Sequence, residues 1–299
     1  MKNKSFFSGL SLIVSMLIFG SISLIARHTS CPSEVLSLTR AVLGTAILFV
    51  IILIKSFLGA KKKQKTSKRT AILVFVSGAA IGINWVCFFE AYDYISVSET
   101  TVIYYLAPVF VMILSPLILK ERLGLKKILC ILVALVGTVL ISNLQDLGDE
   151  NRNSVGMLWA FAAAILYAFV MILNRYMTDI DVLKKTAYQL LSAGLVLLPY
   201  TILKNDGLPT ETMKADLPLL LVLGFVYTGL AYFLYFFAMT NLKAGTVALC
   251  SYIDPVTAIL LSVFVLKETM KVWQWIGAAL IIGALLAGDL PVGRKEKAE

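Results

Sequence analysis

The chain is written twice. YYLAPVFVMILSPLILKE, from Tyr104 to Glu121, returns as SYIDPVTAILLSVFVLKE from Ser251 to Glu268, a shift of 147 positions. The shift places Tyr105 on Tyr252, Pro108 on Pro255, Val109 on Val256 and Lys120-Glu121 on Lys267-Glu268. It also carries Gly9, Gly82, Phe89 and Ala91 onto Gly156, Gly229, Phe236 and Ala238. Self-similarity at one fixed offset marks a duplicated structural unit. The natural division is 1–147 and 148–299, each half one repeat.

The medium is set by composition. Of 299 residues, 59% are hydrophobic and 15% charged, against roughly a quarter charged in a soluble domain. Mean hydropathy is +0.86. Such a chain belongs in a bilayer, whose core takes about 20 mostly apolar residues per helix. Ten spans are expected, at 6–26, 34–55, 71–92, 97–119, 125–143, 154–174, 183–203, 216–240, 245–266 and 272–290. Five spans per repeat is an odd number, so the second copy enters the membrane from the opposite side. The expected fold is an all-α membrane protein of ten transmembrane helices in two inverted five-helix repeats, an arrangement common among secondary transporters.

The net charge of +9 does not point to nucleic acid, because the basic residues sit in short loops between apolar runs. With the N-terminus inside, the cytoplasmic loops and termini hold 20 Lys and Arg and the outer loops six. That bias predicts a multi-pass protein of the cell (inner, plasma) membrane with both termini cytoplasmic. The run 60-AKKKQKTSKRT-70 reads as a topology anchor, and 143-NLQDLGDENRNS-154 as a solvated linker between repeats. The basic, apolar N-terminus resembles a signal peptide. Its length and the match of Gly9 to Gly156 favour a retained membrane helix. The four cysteines, at 31, 87, 130 and 250, have neither disulfide-framework nor metal spacing.

Polar groups and prolines inside spans need a reason. Pro108 and Pro255 fall mid-helix in the fourth and ninth spans and predict two related kinks around a midplane cavity. Asp254 lies near mid-bilayer, where its repeat mate is Ala107. Its carboxyl is a candidate to hold a proton, meet a cationic substrate group or cap backbone freed by Pro255. Arg40 is the one cation within a span. Glu90 and Glu99 flank the turn 92-YDYISVS-98 at its level, so an Arg40–Glu90 or Arg40–Glu99 pair is expected, with direct substrate contact as the other use. Trp85, Tyr104, Tyr105, Tyr232, Tyr235 and Tyr252, with Asn84 and Ser251, are the other candidate substrate-binding residues, since a buried hydroxyl or amide needs a partner in lipid. Gly78 and Gly82 form a GxxxG step for close helix packing. His28 is the only histidine, and no metal site, P-loop or catalytic motif is present. No cofactor, metal or enzymatic activity is expected.

At this point the pattern resembles a known family. The ten spans in two repeats, 19-FGS-21, 38-LTRAVLG-44, 105-YLAPVF-110 followed by 120-KERL-123, and 252-YIDPV-256 with 267-KET-269 are similar to EamA-type carriers of the drug/metabolite transporter superfamily. Arg40, Pro108 and Pro255 match that pattern; Glu90 and Asp254 are not assigned to a general motif of it, and their roles rest on the physical argument. The resemblance implies a transporter of small organic metabolites, often an amino-acid exporter, with a central cavity. The expected partners are a small-molecule substrate, the lipid bilayer and protons as a candidate coupling ion, with the chain a monomer or homodimer and no nucleic acid. A solute channel and a membrane-embedded transferase are the alternatives.

Overall fold

The computed structural model of the protein describes residues 2–26, 28–58, 66–95, 97–121, 123–141, 154–205, 207–265, 267 and 271–288. The basic run at 60–65, residues 142–153 of the linker, Glu268 and the side chain of Glu99 lie outside the described part. All regular structure among the described residues is helical. The first half comprises α1 (Lys2–Gly20), α2 (Ile22–Ala26), α3 (Ser33–Phe57), α4 (Lys68–Tyr92), α5 (Val97–Tyr104), α6 (Ala107–Ile118) and α7 (Leu125–Ile141). The second comprises α8 (Ser154–Tyr176), α9 (Val182–Lys204), α10 (Thr210–Ala215), α11 (Leu217–Gly224), a π-helical turn (Phe225–Leu230), α12 (Ala231–Asn241), α13 (Ala244–Cys250), α14 (Ile253–Phe264) and α15 (Val272–Ala287).

Helix is what an apolar run adopts where no water is available to its backbone. Polar caps set the boundaries. Ser67 Oγ accepts from Thr70 N at 3.1 Å to start α4. Asp181 accepts from Leu183 N and Lys184 N at 3.1 and 3.3 Å to start α9. Lys120 and Lys267, repeat mates, both take a left-handed conformation, each at φ 56°, just beyond α6 and α14. A side-chain-bearing residue pays about 1–2 kcal/mol for that geometry, and both copies retain it.

Among the described residues, six apolar helical stretches are long enough to cross a bilayer: Ser33–Phe57, Lys68–Tyr92, Thr100–Ile118, Ser154–Tyr176, Val182–Lys204 and Leu217–Asn241. Phe6–Gly20 and Val272–Ala287 are shorter apolar helices. The fourth and ninth expected spans are not single kinked helices. Each is two half-helices, broken at Tyr105–Leu106 and at Ser251–Tyr252. The two prolines therefore sit in the first turn of α6 and of α14, where the missing N–H costs no intrahelical bond. The mid-helix placement is corrected accordingly. Pro116 and Pro199 are the prolines that lie inside helices.

Short connections leave two ends to the bundle. One end, inner in the orientation expected from the charge bias, carries the starts of α4, α9 and α13 and the ends of α8 and α12; the opposite, outer in that expectation, carries the starts of α3, α5 and α11 and the end of α9. α4 packs on α8 and α9, α1 on α12 and α14, α3 on α9, and α7 on α15. Glycines permit the closest approaches. A Cβ on Gly78 would lie 2.4 Å from the Gln189 carbonyl, and one on Gly137 2.7 Å from the Gly277 carbonyl. The half-helices are packed unequally. α13 lies against α6 and α7, whereas among the described residues its repeat mate α5 has no comparable packing on α14 or α15.

Candidate functional site

The two breaks meet inside the bundle. A broken helix leaves carbonyls without intrahelical donors, and in a dry interior these must be met by side chains. Tyr252 Oη donates to the Tyr105 carbonyl at 3.0 Å, so the second break satisfies the first. The two rings lie 6.1 Å apart. In return the Tyr105 hydroxyl reaches the Asp254 carboxyl. Asp254 occupies the first turn of α14, where a carboxylate also faces the unsatisfied N–H groups of a helix N-terminus. Tyr105, Ser251 and Tyr252 are buried, while Asp254 keeps part of its surface accessible.

Aromatic groups wall this junction. Tyr104 stacks on Tyr167 at 5.2 Å with its ring parallel within 1°. Tyr167 and Tyr235 share a hydroxyl–hydroxyl bond of 2.7 Å, and the Ser251 hydroxyl, which donates to the Val247 carbonyl at 3.0 Å, lies beside them. Tyr104 reaches Asn84 Oδ1 at 3.5 Å, and Asn84 Nδ2 donates to the Ala163 carbonyl at 2.6 Å. Tyr232 lies edge-on to Trp85 at 5.9 Å and to Phe19 at 5.1 Å. Tyr104, Tyr105, Tyr167 and Tyr232 all lie within electrostatic reach of Asp254. Tyr104, Tyr167 and Tyr232 remain partly accessible although they sit among core residues.

Arg40 joins this group from the opposite wall. Its Nε donates to Thr228 Oγ1 at 3.0 Å, and its guanidinium lies 5.4 Å from the centroid of the Trp85 ring. The π-helical turn makes this contact. There Thr228 Oγ1 donates five residues back to the Leu223 carbonyl at 2.9 Å, leaving its lone pair for Arg40. Gly44 of α3 comes close to Gly229 of the same turn. The expected Arg40–Glu90 pair does not form. Glu90 instead accepts from Tyr200 at 2.6 Å and pairs with Lys204 at 3.0 Å, a cation at its own depth on the outer end of α9. That end is further tied by Lys204–Asp93 at 2.7 Å and by Asn205 to Glu34 at 3.0 Å. Arg40 lies with the aromatic group, and Glu90 with Lys204 and Tyr200 at the end of α9.

Of the sequence candidates, Asn84, Trp85, Tyr104, Tyr105, Tyr232, Tyr235, Ser251, Tyr252 and Asp254 come together, with Arg40 alongside. Tyr167 and Thr228 belong with them and were not anticipated. Tyr167 had a signal, since it is the repeat mate of Gly20; Thr228 had none, because a π-helical turn has no sequence mark. Glu121 is a further surprise. One oxygen pairs with Arg175 at 2.9 Å and the other accepts from Ala244 N at 2.9 Å, capping α13 at the inner end. No group of three His, Cys, Asp or Glu that could hold a metal occurs among the described residues.

Comparison with known proteins agrees with this architecture. A solved crystal structure of a protein 21% identical in sequence superposes with a TM-score of 0.80, covering 96% of this chain and 99% of that one. An uncharacterized transporter of Helicobacter pylori (strain 26695) is 28% identical over 304 residues, spanning 99% of each chain. The uncharacterized transporter YxxF of Bacillus subtilis is 26% identical over 279 residues, 92% of this chain and 87% of that protein. The EamA-like transporter family pattern matches twice, over residues 7–143 and 154–287. The chain is a multi-pass membrane transporter and belongs to the EamA-like transporter family.

Proposed function

We propose that this transporter is a secondary carrier that exports small organic metabolites such as amino acids. The observation that carries the reading is the meeting of the two half-helix breaks, with Tyr252 bonded to the Tyr105 backbone and Tyr105 to Asp254. Broken helices at corresponding points of two repeats are where carriers of this general kind place their substrate. Tyrosine, tryptophan, amide, carboxyl and guanidinium groups together suit a small solute with both polar and apolar parts. In this reading, residues 1–147 and 148–299 are inverted five-helix repeats, ten spans in all, with both termini cytoplasmic. The packing supports the symmetry. A shift of 147 exchanges the α1–α12 and α4–α8 contacts and maps the α3–α9 and α7–α15 contacts onto themselves. The repeats rock about the site to expose it alternately at either end.

A solute channel shares the cavity, and a transferase shares the membrane setting. Family membership favours the carrier over the enzyme. The test is an amino-acid and metabolite screen with the purified chain in proteoliposomes, with and without a pH gradient, comparing wild type with Asp254→Asn. Saturable counterflow lost in the variant supports the carrier. Conversion of a lipid or sugar without vectorial movement would replace it with the enzyme, and non-saturable flux with the channel.

A further inference from the structure

Lys185, in the second turn of α9, is fully buried at 0% exposure. Its Nζ donates to Thr240 Oγ1 at 2.9 Å. The Thr240 hydroxyl hydrogen is committed to the Phe236 carbonyl at 2.8 Å, so its oxygen can only accept. The charged group within electrostatic reach is Arg175 at the end of α8, which is also a cation. The elements around this end of α9 carry further cations: Lys55 on α3, Lys68 and Arg69 on α4, Lys243 beyond α12, and Lys184 on α9 itself. The described carboxylates of this end are engaged elsewhere. Glu121 holds Arg175 and Ala244 N, Asp179 holds Ser67 N and Thr70, and Asp181 caps α9.

A buried ammonium facing one neutral hydroxyl is an uncompensated charge, whose effective penalty in a protein is several kcal/mol. An apolar side chain would be the more stable choice, so a lysine kept in this position is a pointer to function. Lysine, unlike arginine, also exists as a neutral amine that can still donate to Thr240. The contact therefore survives loss of the proton, and the cost of burial does not. Lys185 packs between α3, α4 and α12 and is tied to the start of α13 through Arg175, whose partner Glu121 accepts from Ala244 N.

We propose that Lys185 is a proton-operated lock on the inner end. When that end is open to water the side chain is an ammonium. Closing it transfers one N–H proton to water, the nitrogen keeps the electron pair, and the neutral amine is buried against Thr240. A higher pH on the inner side then favours the closed form, and a lower pH the open one. The proposal rests on the alternating-access reading, but its test needs no substrate.

Ala244, 3% exposed at the start of α13, is replaced by Cys in the full chain. Its reaction with a membrane-impermeant maleimide is followed in inside-out vesicles at pH 6 and pH 8, each rate divided by that of the unfolded protein at the same pH. The corrected rate is expected to fall severalfold from pH 6 to pH 8. Lys185→Met should label slowly at both, and Lys185→Arg quickly at both. A pH response that persists in Lys185→Met, or its absence in the otherwise unaltered chain, overturns the lock. If Lys185→Met does not fold, Lys185→Arg decides, because a retained pH response there is equally fatal. A failed counterflow assay would remove the carrier reading while leaving this labelling result intact.

Discussion

The break at Tyr105–Leu106 and the break at Ser251–Tyr252 come from the same ancestral stretch, yet they do different work. The first has apolar Ala107 in its new turn, fully buried, and its Tyr105 carbonyl accepts from the Tyr252 hydroxyl. The second has Asp254 there, partly accessible and met by Tyr105. Their surroundings differ in the same sense. Tyr167 stacks beside the first break, while its repeat mate Gly20 brings α1 so close to the second that a Cβ would lie 2.5 Å from the Asp254 carbonyl. Duplication supplied two equivalent breaks, and only the second carries a charge in its new first turn.

The largest test of that contrast is Asp254→Asn, expected to abolish transport while membrane insertion and folded yield stay normal; unchanged counterflow and pH profile would make the two breaks functionally equal. Next comes Gly20→Leu, which must push α1 away from α14 against backbone. A loss of about 1–3 kcal/mol is expected, read as a lower melting temperature in detergent. Wild-type stability would mean that α1 is not seated on the second break.

The two tyrosines then separate structure from function. Tyr252→Phe removes the donor to the Tyr105 carbonyl and should cost about 0.6–1.7 kcal/mol, the usual worth of a hydrogen bond between membrane helices. Tyr105→Phe keeps its ring and should alter transport more than melting temperature. The reverse outcome would exchange the roles assigned to the two breaks.

The smallest effect lies outside the membrane. Bonds from Thr70 and from the Ser67 backbone hold the Asp179 carboxyl below the usual carboxylate range. A depressed value means that the ionised form is favoured by folding. Its stabilisation is present above the ordinary carboxylate range and is lost as pH falls through the lowered value. Asp179→Asn should thus melt slightly lower than wild type at neutral pH and identically in strong acid. A gap that persists in acid would remove the charge from the explanation.

Much of the candidate site was legible because membrane interiors are intolerant. A tyrosine, amide or carboxyl in an apolar run must find a partner, so Asn84, Tyr104, Tyr235 and Asp254 could be marked from their setting alone. Arg40 was marked for the same reason, but Glu90, one of its two expected partners, is taken by Lys204. Two glutamates stood at its level in the sequence, and Lys204, 164 positions away, competed for Glu90 unseen. The prolines predicted a bend, but proline is equally at home in the middle of a kinked helix and in the first turn of a new one. Glu121, Arg175 and Lys185 looked like ordinary loop and interface charges.

The sequence by itself determined the medium, the duplication and the polar groups that need partners, because apolar length, a fixed offset and desolvation are properties of the chain. Only the tertiary structure decided who the partners are. It set Tyr252 on the Tyr105 carbonyl, unwound α11 into a π turn that presents Thr228 to Arg40, and left Lys185 buried without a carboxylate. Those outcomes depend on which helices approach closely enough to exclude water. That is fixed by side-chain volume across the interfaces, as where Gly78 admits the Gln189 backbone, and not by any local pattern.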